Sequence, residues 1–195
     1  PVELVYYDDQ TSPSRVPGIY TKLIAVDRVD LLVSGYGSTM IAPAMPIAMN
    51  YGKVFMALFG LASNEEFGYD RYFQIMPTGP EPRVSWSKGF FDLAMALDPQ
   101  PRKIALVGAD AEFSRNALIG ARINAERAGL EIVYDRTYPA NTVDFSSILR
   151  VIGAAEPDIV YVASYPPDSA GIVRAVDEIG LDGLGTNVDL RQVSF

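Results

Sequence analysis

The sequence predicts an α/β protein with two parallel β-sheets, each covered by helices. Short apolar segments alternate with segments whose apolar residues recur at helical spacing, a pattern typical of parallel strands that are buried on both faces. The alternation occurs twice, and residues 77–82, with three prolines and one glycine, separate the two runs. We therefore expect two lobes, one over residues 1–77 and the other over residues 78–195.

The first run contains four apolar segments that predict strands, at residues 2–7, 30–34, 53–58 and 71–76. Between the first two strands, Ile19, Leu23 and Val26 recur at helical spacing and predict one helix. A second helix is expected over residues 43–50, before the third strand. This order of elements predicts a parallel sheet with helical crossovers.

The second run begins with a predicted helix and continues with three strand–helix units. The predicted helices cover residues 84–97, 114–128, 145–155 and 169–179, and the predicted strands cover residues 103–108, 131–134 and 158–163. Beyond Leu181 the sequence lacks the apolar run that a further parallel strand would need. We therefore expect the second lobe to be incomplete.

The composition excludes several classes of chemistry. The chain has no His and no Cys, so imidazole-based triads, thiol nucleophiles and typical zinc sites are absent, and we expect no metal or cofactor. It has 16 Lys and Arg against 24 Asp and Glu, a net charge of −8 without a basic run, so nucleic-acid binding is not expected. No apolar run reaches the roughly 20 residues of a membrane span. Pro1 leads directly into the first predicted strand, which is not what we expect of a natural N-terminus.

The loop at residues 35–39, GYGST, is the most informative candidate for a binding site. Ligands of open parallel sheets bind beyond the carboxyl ends of the strands, and this loop follows such an end. Its glycines permit a tight turn, after which Ser38 and Thr39 begin a helix. Hydroxyls beside the backbone N–H groups of a helix start suit a carboxylate. The alternative is that Ser38 only caps the helix. The loop lacks the third glycine of a dinucleotide-binding fingerprint.

Two other features at strand ends allow more than one interpretation. Asp8 and Asp9 follow the first predicted strand, where they would either form turns or hold Mg²⁺ in a phosphotransfer enzyme. Phe59, Phe113 and Tyr165 follow later strands, where aromatic side chains either fill the core or line a ligand. The residues alone leave both alternatives open.

Taken together, the segments around these strand ends resemble those of the branched-chain amino acid type of periplasmic binding protein, the receptor component of ABC importers. The matching segments are YYDDQ (6–10), KLIAVDRVDLLVSGYGST (22–39), YGKVFMA (51–57), KIALVGADAEF (103–113), YPANTVDFSSIL (138–149) and DIVYVASYPPD (158–168). The resemblance implies two Rossmann-like lobes of the type I fold, with a ligand in the cleft between them. Family members are nearly twice as long, so the chain would be a fragment truncated at both ends.

The resemblance also implies roles for individual residues. Ser38 and Thr39 match serines that take the ligand's α-carboxylate, and Phe59, Gly60 and Leu61 match a stretch that contacts its carboxylate and amine. Phe113 and Tyr165 match second-lobe tyrosines that lie against the ligand, and a gapless extension matches Asp189 to the acid that pairs with the ligand's ammonium. The candidate ligand-binding residues are therefore Tyr36, Ser38, Thr39, Phe59, Gly60, Leu61, Phe113, Tyr165 and Asp189.

Three of these residues depart from the family pattern. Leu61 replaces a hydroxyl, Phe59 replaces a small residue, and Phe113 lacks a phenol oxygen. A buried ammonium without partners costs at least about 1–3 kcal/mol. We therefore expect an aromatic or other apolar carboxylate to bind more tightly than a branched-chain amino acid, which remains the alternative ligand.

The sequence thus predicts an extracytoplasmic solute-binding protein that is not an enzyme and delivers a small carboxylate to an ABC permease in the membrane. A ligand-sensing regulator or receptor domain of the same fold is the alternative, followed by the Mg²⁺-dependent enzyme that uses Asp8 and Asp9. Because each lobe is expected to lack strands, we also expect self-association of the chain through exposed apolar surface.

Overall fold

The computed structural model describes residues 2–180, which form two compact units, one ending at Thr78 and the other beginning at Gly79. Each unit contains a three-stranded parallel sheet, so the predicted α/β fold with two parallel sheets is confirmed. None of the described helices is both long enough and apolar enough to span a membrane.

The first unit has the sheet order β1-β2-β3. Its elements are a 3₁₀ turn at Pro13–Arg15, α1 (Val16–Ala25), β1 (Leu31–Tyr36), α2 (Ser38–Asn50), β2 (Val54–Leu58) and β3 (Tyr72–Gln74). Helix α2 begins five residues before the predicted start, because Pro43 and Pro46 lie inside it without ending it.

One face of this first sheet forms the core of the unit. Leu32, Phe55 and Ala57 point to this face and pack with buried residues of α1 and α2, among them Tyr20 and Met45. The ring of Phe55 lies edge-on to the ring of Tyr20, with centroids 5.6 Å apart. Burial of these large side chains is the main stabilising contribution of this layer.

The opposite face of the first sheet is largely exposed among residues 2–180, whereas the sequence predicted burial on both sides. Alternation along the strands places five large apolar side chains there, which together we call the open face: Leu31, Val33, Met56, Phe73 and Ile75. An apolar run predicts a strand that can be buried on both faces, but the run itself does not show whether a helix covers the second face.

The predicted strand at residues 2–7 is wrong. The segment has no strand assignment, and the side chains of Val2, Leu4 and Tyr6 are exposed. Tyr7 is held instead by side-chain contacts: its hydroxyl donates to Asp27 Oδ2 at 2.8 Å, and Lys22 Nζ lies 4.1 Å from its ring centroid. A strand needs a neighbour for its backbone N–H and C=O groups, and no described strand pairs with this segment.

The second unit has the sheet order β5-β4-β6. Its elements are α3 (Pro82–Ala94), β4 (Lys103–Ala109), α4 (Glu112–Arg127), β5 (Glu131–Tyr138), α5 (Ser146–Ala154), β6 (Ile159–Ala163) and α6 (Pro166–Glu178). The central strand β4 is buried over nearly its whole length, and its side chains pack against residues of α5 and α6 on one face.

Helices α3 and α4 of the second unit cross in backbone contact. A Cβ at Gly120 would lie 1.8 Å from the carbonyl oxygen of Arg83, so only glycine fits at the crossing. Next to it, Asn124 Nδ2 donates to the carbonyl of Val84 and to the hydroxyl of Ser87, both at 2.9 Å. The crossing therefore combines close packing with buried hydrogen bonds that fix the two helices to each other.

Candidate ligand-binding residues

The start of α2 in the first unit is built as a tight turn. Gly37 has a φ of 81°, a left-handed conformation that favours glycine. Ser38, the first residue of α2, is fully buried, and Thr39 beside it is partly buried. The turn brings the N-terminus of α2, with the positive end of its dipole, to the carboxyl ends of β1 and β2.

The hydroxyl of Ser38 is bonded to the backbone of the neighbouring loop. Its Oγ accepts a hydrogen bond from the N–H of Leu61 at 2.7 Å and donates to the carbonyl of Leu61 at 3.4 Å. This hydroxyl therefore has both a donor and an acceptor within the protein. That Ser38 also binds a carboxylate stays a prediction.

The loop that follows β2 presents one aromatic side chain outward and one apolar side chain inward. Phe59 has a φ of 56°, is half exposed, and lies 5.4 Å from the ring of Tyr36, which is also exposed. Leu61 is fully buried, so its side chain belongs to the interior. Between them, a Cβ at Gly60 would lie 2.6 Å from the hydroxyl of Tyr72, so a larger residue here would have to displace the Tyr72 side chain.

Sequence reasoning missed Ser63, two residues beyond the matched stretch. Its hydroxyl is buried and makes no hydrogen bond of good geometry with the described residues, although it lies near the Tyr72 phenol. Burial raises the pKa of Tyr72 to about 12, and the nearby Ser63 hydroxyl partly offsets that rise. A buried hydroxyl without a hydrogen-bond partner of good geometry costs free energy.

In the second unit, three aromatic side chains meet beyond the carboxyl ends of β4 and β6. Phe113 on α4 lies 5.3 Å from the ring of Trp86 and 5.7 Å from the ring of Tyr165, measured between centroids. Trp86, Phe113 and Tyr165, which we call the aromatic trio, are partly exposed. Trp86 comes from α3 and was missed, because its ring contact depends on how α3 crosses α4 in the folded unit.

A polar cluster lies at the same end of this second sheet. The hydroxyl of Tyr138, the last residue of β5, donates to Asp168 Oδ2 at 3.0 Å, and the hydroxyls of Ser164 and Ser169 are 2.6 Å apart. Burial raises the pKa of Asp168, and the hydrogen bond from Tyr138 partly offsets that rise. The cluster ties β5 and β6 to the first turn of α6.

The two aspartates of the alternative enzyme hypothesis both form turns. Asp8 Oδ1 accepts from the N–H of Gln10, and Asp9 Oδ1 accepts from the N–H of Thr11, each at 2.8 Å. These are Asx turns, which need no metal. Within residues 2–180 no group of three or more acidic side chains is placed to hold a metal ion. Asp189 lies outside the described residues.

Comparison with known proteins finds a matching family model and several similar proteins. A family model described as periplasmic binding protein matches residues 1–190. The chain is 24% identical over 180 residues to Leu/Ile/Val-binding protein homolog 8 of Brucella abortus, covering 88% of the chain and 44% of that relative. It is 31% identical over 86 residues to homolog 7 of the same organism, covering 44% of the chain and 22% of that relative. The chain thus spans less than half the length of these relatives.

Solved structures share the fold at low sequence identity. A solute-binding protein of an ABC transporter from Rhodopseudomonas palustris BisB5, in complex with 3,4-dihydroxybenzoic acid, matches with a TM-score of 0.78 and 20% identity over 94% of the chain and 49% of that protein. A leucine-binding protein from Thermotoga maritima MSB8 matches with a TM-score of 0.81 and 17% identity over 92% of the chain and 50% of that protein.

Proposed function

The chain belongs to the periplasmic binding protein family, and we propose that it is part of the solute-binding component of an ABC importer for an aromatic carboxylate. The chain spans 44% of the Brucella abortus relative and 49% of the Rhodopseudomonas palustris structure. The ligand, the membrane permease that receives it and a location outside the cytoplasm are therefore proposed for the protein as a whole.

The aromatic trio is the observation that carries the proposal of an aromatic ligand. Trp86 and Phe113 meet edge-on and Phe113 and Tyr165 meet at a tilt, so these partly exposed rings offer both faces and edges to a further ring. Aromatic side chains that serve only the stability of the fold are usually buried, because burial removes a large apolar area from water. The pair formed by Tyr36 and Phe59 offers a similar exposed aromatic surface in the first unit.

The carboxylate end of the ligand is proposed to bind in the first unit. The N-terminus of α2 favours an anion, and the Ser63 hydroxyl supplies a donor that has no good partner in the described chain. Ser38 then acts through Leu61, holding the loop in place. This division of roles assigns the ligand-facing hydroxyl to Ser63 and the positioning hydroxyl to Ser38.

Some similar proteins support an aromatic acid, whereas the leucine-binding structure and the two Leu/Ile/Val-binding protein homologs of Brucella abortus support an amino acid. The Rhodopseudomonas palustris proteins are complexes with 3,4-dihydroxybenzoic acid and with 4-hydroxybenzoate, whereas the Thermotoga maritima protein is described as leucine-binding. We favour the aromatic acid, because neither Phe59 nor Leu61 offers a side-chain oxygen to an ammonium group.

Calorimetric titration of the whole protein with a panel of ligands tests the proposal. The panel contains benzoate, 4-hydroxybenzoate, 3,4-dihydroxybenzoate, an aliphatic carboxylate, leucine and valine. We expect an aromatic carboxylate to bind most tightly. Phe113→Leu should weaken it by about 2- to 10-fold, the value of one aromatic pair, while Tyr51→Leu, an exposed tyrosine after α2, should not.

Ser63→Ala tests the acid end separately. A charge-assisted hydrogen bond is worth roughly 1.5–3 kcal/mol, so the aromatic carboxylate should bind about 10- to 150-fold more weakly. Ser147→Ala, an exposed serine on α5, serves as the control. Tightest binding of leucine or valine by the unmodified whole protein would overturn the aromatic assignment, and no binding of any carboxylate by the whole protein would overturn the proposed function.

A further inference from the structure

The start of α6 in the second unit carries one ring of the aromatic trio. Tyr165 directly precedes the helix, with a φ of −91° and a ψ of 159°, an extended conformation that suits the residue before a proline. Pro166 and Pro167 are the first two residues of the helix. Because proline has no backbone N–H, this helix start has two fewer donors through which a cap or a loop could hold it.

Two buried serine hydroxyls hold the backbone around Tyr165. The carbonyl of Tyr165 accepts a hydrogen bond from the N–H of Ser169 at 2.9 Å and a second from its hydroxyl at 3.1 Å. The Oγ of Ser169 also lies 2.6 Å from the Oγ of Ser164, the residue before Tyr165. Since Ser169 has one hydroxyl proton and gives it to Tyr165, Ser164 is the donor between the two serines. The chain is therefore held on both sides of the Tyr165 Cα.

A second set of contacts joins the same helix start to the end of β5. The hydroxyl of Tyr138 donates to Asp168 Oδ2, one residue before Ser169. A Cβ at Gly171 would lie 2.8 Å from the ring of Phe145, and this ring lies edge-on to Tyr138 with centroids 5.2 Å apart. The first two turns of α6 are therefore bonded and closely packed against the end of the sheet, by contacts that all lie within the second unit.

Stability alone does not require the pair of serine hydroxyls. Ser164 and Ser169 are 8% and 6% exposed, and two buried polar groups that are replaced together by apolar groups of the same shape can cost little or no stability. A hydrogen bond differs from an apolar contact because it is directional, so it fixes a backbone in one geometry. The backbone fixed here is that of Tyr165, whose ring centroid lies 5.7 Å from that of Phe113.

We propose that Ser169 is a positioning residue for the aromatic ligand: its hydroxyl fixes the backbone of Tyr165 and thereby holds the Tyr165 ring beside Phe113 before a ligand binds. Ser164 supports this role by donating to Ser169. Ser169 acts through Tyr165 and does not itself touch the ligand. A ring that is already held in place loses little freedom on binding, so more of its contact energy appears as affinity. The inference rests on the proposed function.

A double-mutant cycle in the whole protein tests this role. The affinity for 4-hydroxybenzoate, measured by calorimetry, should fall about 3- to 10-fold in Ser169→Ala, at most the value of one aromatic contact. In a Tyr165→Leu background the same change should alter the affinity less than about twofold, because the ring that Ser169 positions is gone. Ile152→Val, which removes a buried methyl group from α5, should lower stability but leave the affinity unchanged.

The pair Ser164→Ala and Ser169→Ala separates positioning from stability. It removes both hydroxyls together, so neither serine leaves the other without its partner, and it replaces Ser169→Ala in the cycle if that single variant fails to fold. Urea unfolding should show most of the stability of the unmodified protein, whereas the affinity for 4-hydroxybenzoate should stay as low as in Ser169→Ala. A paired variant that regains the affinity together with the stability would overturn the positioning role.

Fluorine NMR with 3-fluorotyrosine introduced at Tyr165 tests the inference without a ligand. The resonance pattern should change in Ser169→Ala and in the paired variant, but not in Ile152→Val. If the whole protein binds no carboxylate while the pattern still changes as expected, the proposed function is overturned and the hold of Ser169 on Tyr165 stands. An unchanged pattern in Ser169→Ala, an equal loss of affinity with and without the Tyr165 ring, or an equal loss in Ile152→Val would each overturn the role of Ser169.

Discussion

The backbone N–H of Leu61 donates to the Oγ of Ser38 across 2.7 Å, joining the loop after β2 to the first residue of α2. Both residues are fully buried. The bond therefore fixes the relative position of two chain segments that carry five of the candidate residues: Ser38, Thr39, Phe59, Gly60 and Leu61. Its loss would leave a buried N–H without a partner, since water cannot readily replace the hydroxyl.

Ser38→Ala is therefore expected to lower the stability of the fold. An unsatisfied buried N–H costs about 1–3 kcal/mol, more than the roughly 1 kcal/mol of a lost helix cap. Urea unfolding, followed by circular dichroism, measures the change, with Ser147→Ala on the exposed surface of α5 as the control. A midpoint equal to that of the unmodified chain would show that the bond to Leu61 does not stabilise the fold.

Glu156→Gly is expected to raise stability. Glu156 follows the C-cap of α5 with a φ of 50°, and its N–H donates to the carbonyl of Gly153 at 3.0 Å. A left-handed conformation costs a residue with a Cβ about 1 kcal/mol or more, and glycine avoids this cost. Chemical denaturation should show the gain. Glu126→Gly, within α4, should instead destabilise by about 0.5–1 kcal/mol.

Tyr138→Phe is expected to raise the pKa of Asp168 further. Burial already raises this pKa, while the hydrogen bond from Tyr138 favours the ionised form and lowers it. Asp168 is therefore easier to protonate in the folded chain than in the unfolded chain. Its protonation stabilises the folded chain at pH values below its ordinary pKa of 3.8, and this contribution is lost as the pH rises through the raised pKa of the folded chain. Carbon-13 NMR titration of the carboxyl group measures the shift.

A matched variant separates this effect from a general change in the sheet. Tyr134→Phe removes a phenol from the same strand, β5, and leaves the bond between Tyr138 and Asp168 intact. An Asp168 pKa that moves equally in both variants, or falls in Tyr138→Phe, would contradict the assigned role of the hydrogen bond.

Trp86 is expected to report ligand binding by its fluorescence. It is the only Trp of the chain, and its ring contacts Phe113 in the aromatic trio. An aromatic carboxylate that stacks there changes the surroundings of the indole, so its emission should change saturably with the same dissociation constant as in calorimetry. A saturable heat signal with unchanged emission would place the ligand away from the trio.

The sequence was sufficient for elements that depend on local patterns. The apolar run at residues 103–108 became β4 with one further residue, and the helix predicted at 114–128 became α4 with a shift of one or two residues at its ends. Both follow from periodicity within a short window. The same patterns could not reveal that residues 2–7 pair with none of the described strands, because pairing depends on the rest of the sheet.

The candidate site was less accessible to sequence reasoning. Ser38 was selected for a hydroxyl at a helix start, but its partner, Leu61, is 23 residues away, and the bond depends on the folded loop. The ring contacts of Trp86 likewise depend on the crossing of α3 and α4. The signal that could have revealed this crossing was Gly120 inside an amphipathic helix, where a glycine often marks close backbone approach.

The crossing at Gly120 determines how freely the aromatic trio can move. With α3 and α4 in backbone contact and cross-linked through Asn124, Trp86 and Phe113 are carried by one rigid pair of helices and cannot drift apart independently. The entropy of bringing the two rings together is lost when the chain folds, before any ligand arrives. An aromatic ligand would therefore meet a preorganised surface, and more of its contact energy would appear as affinity.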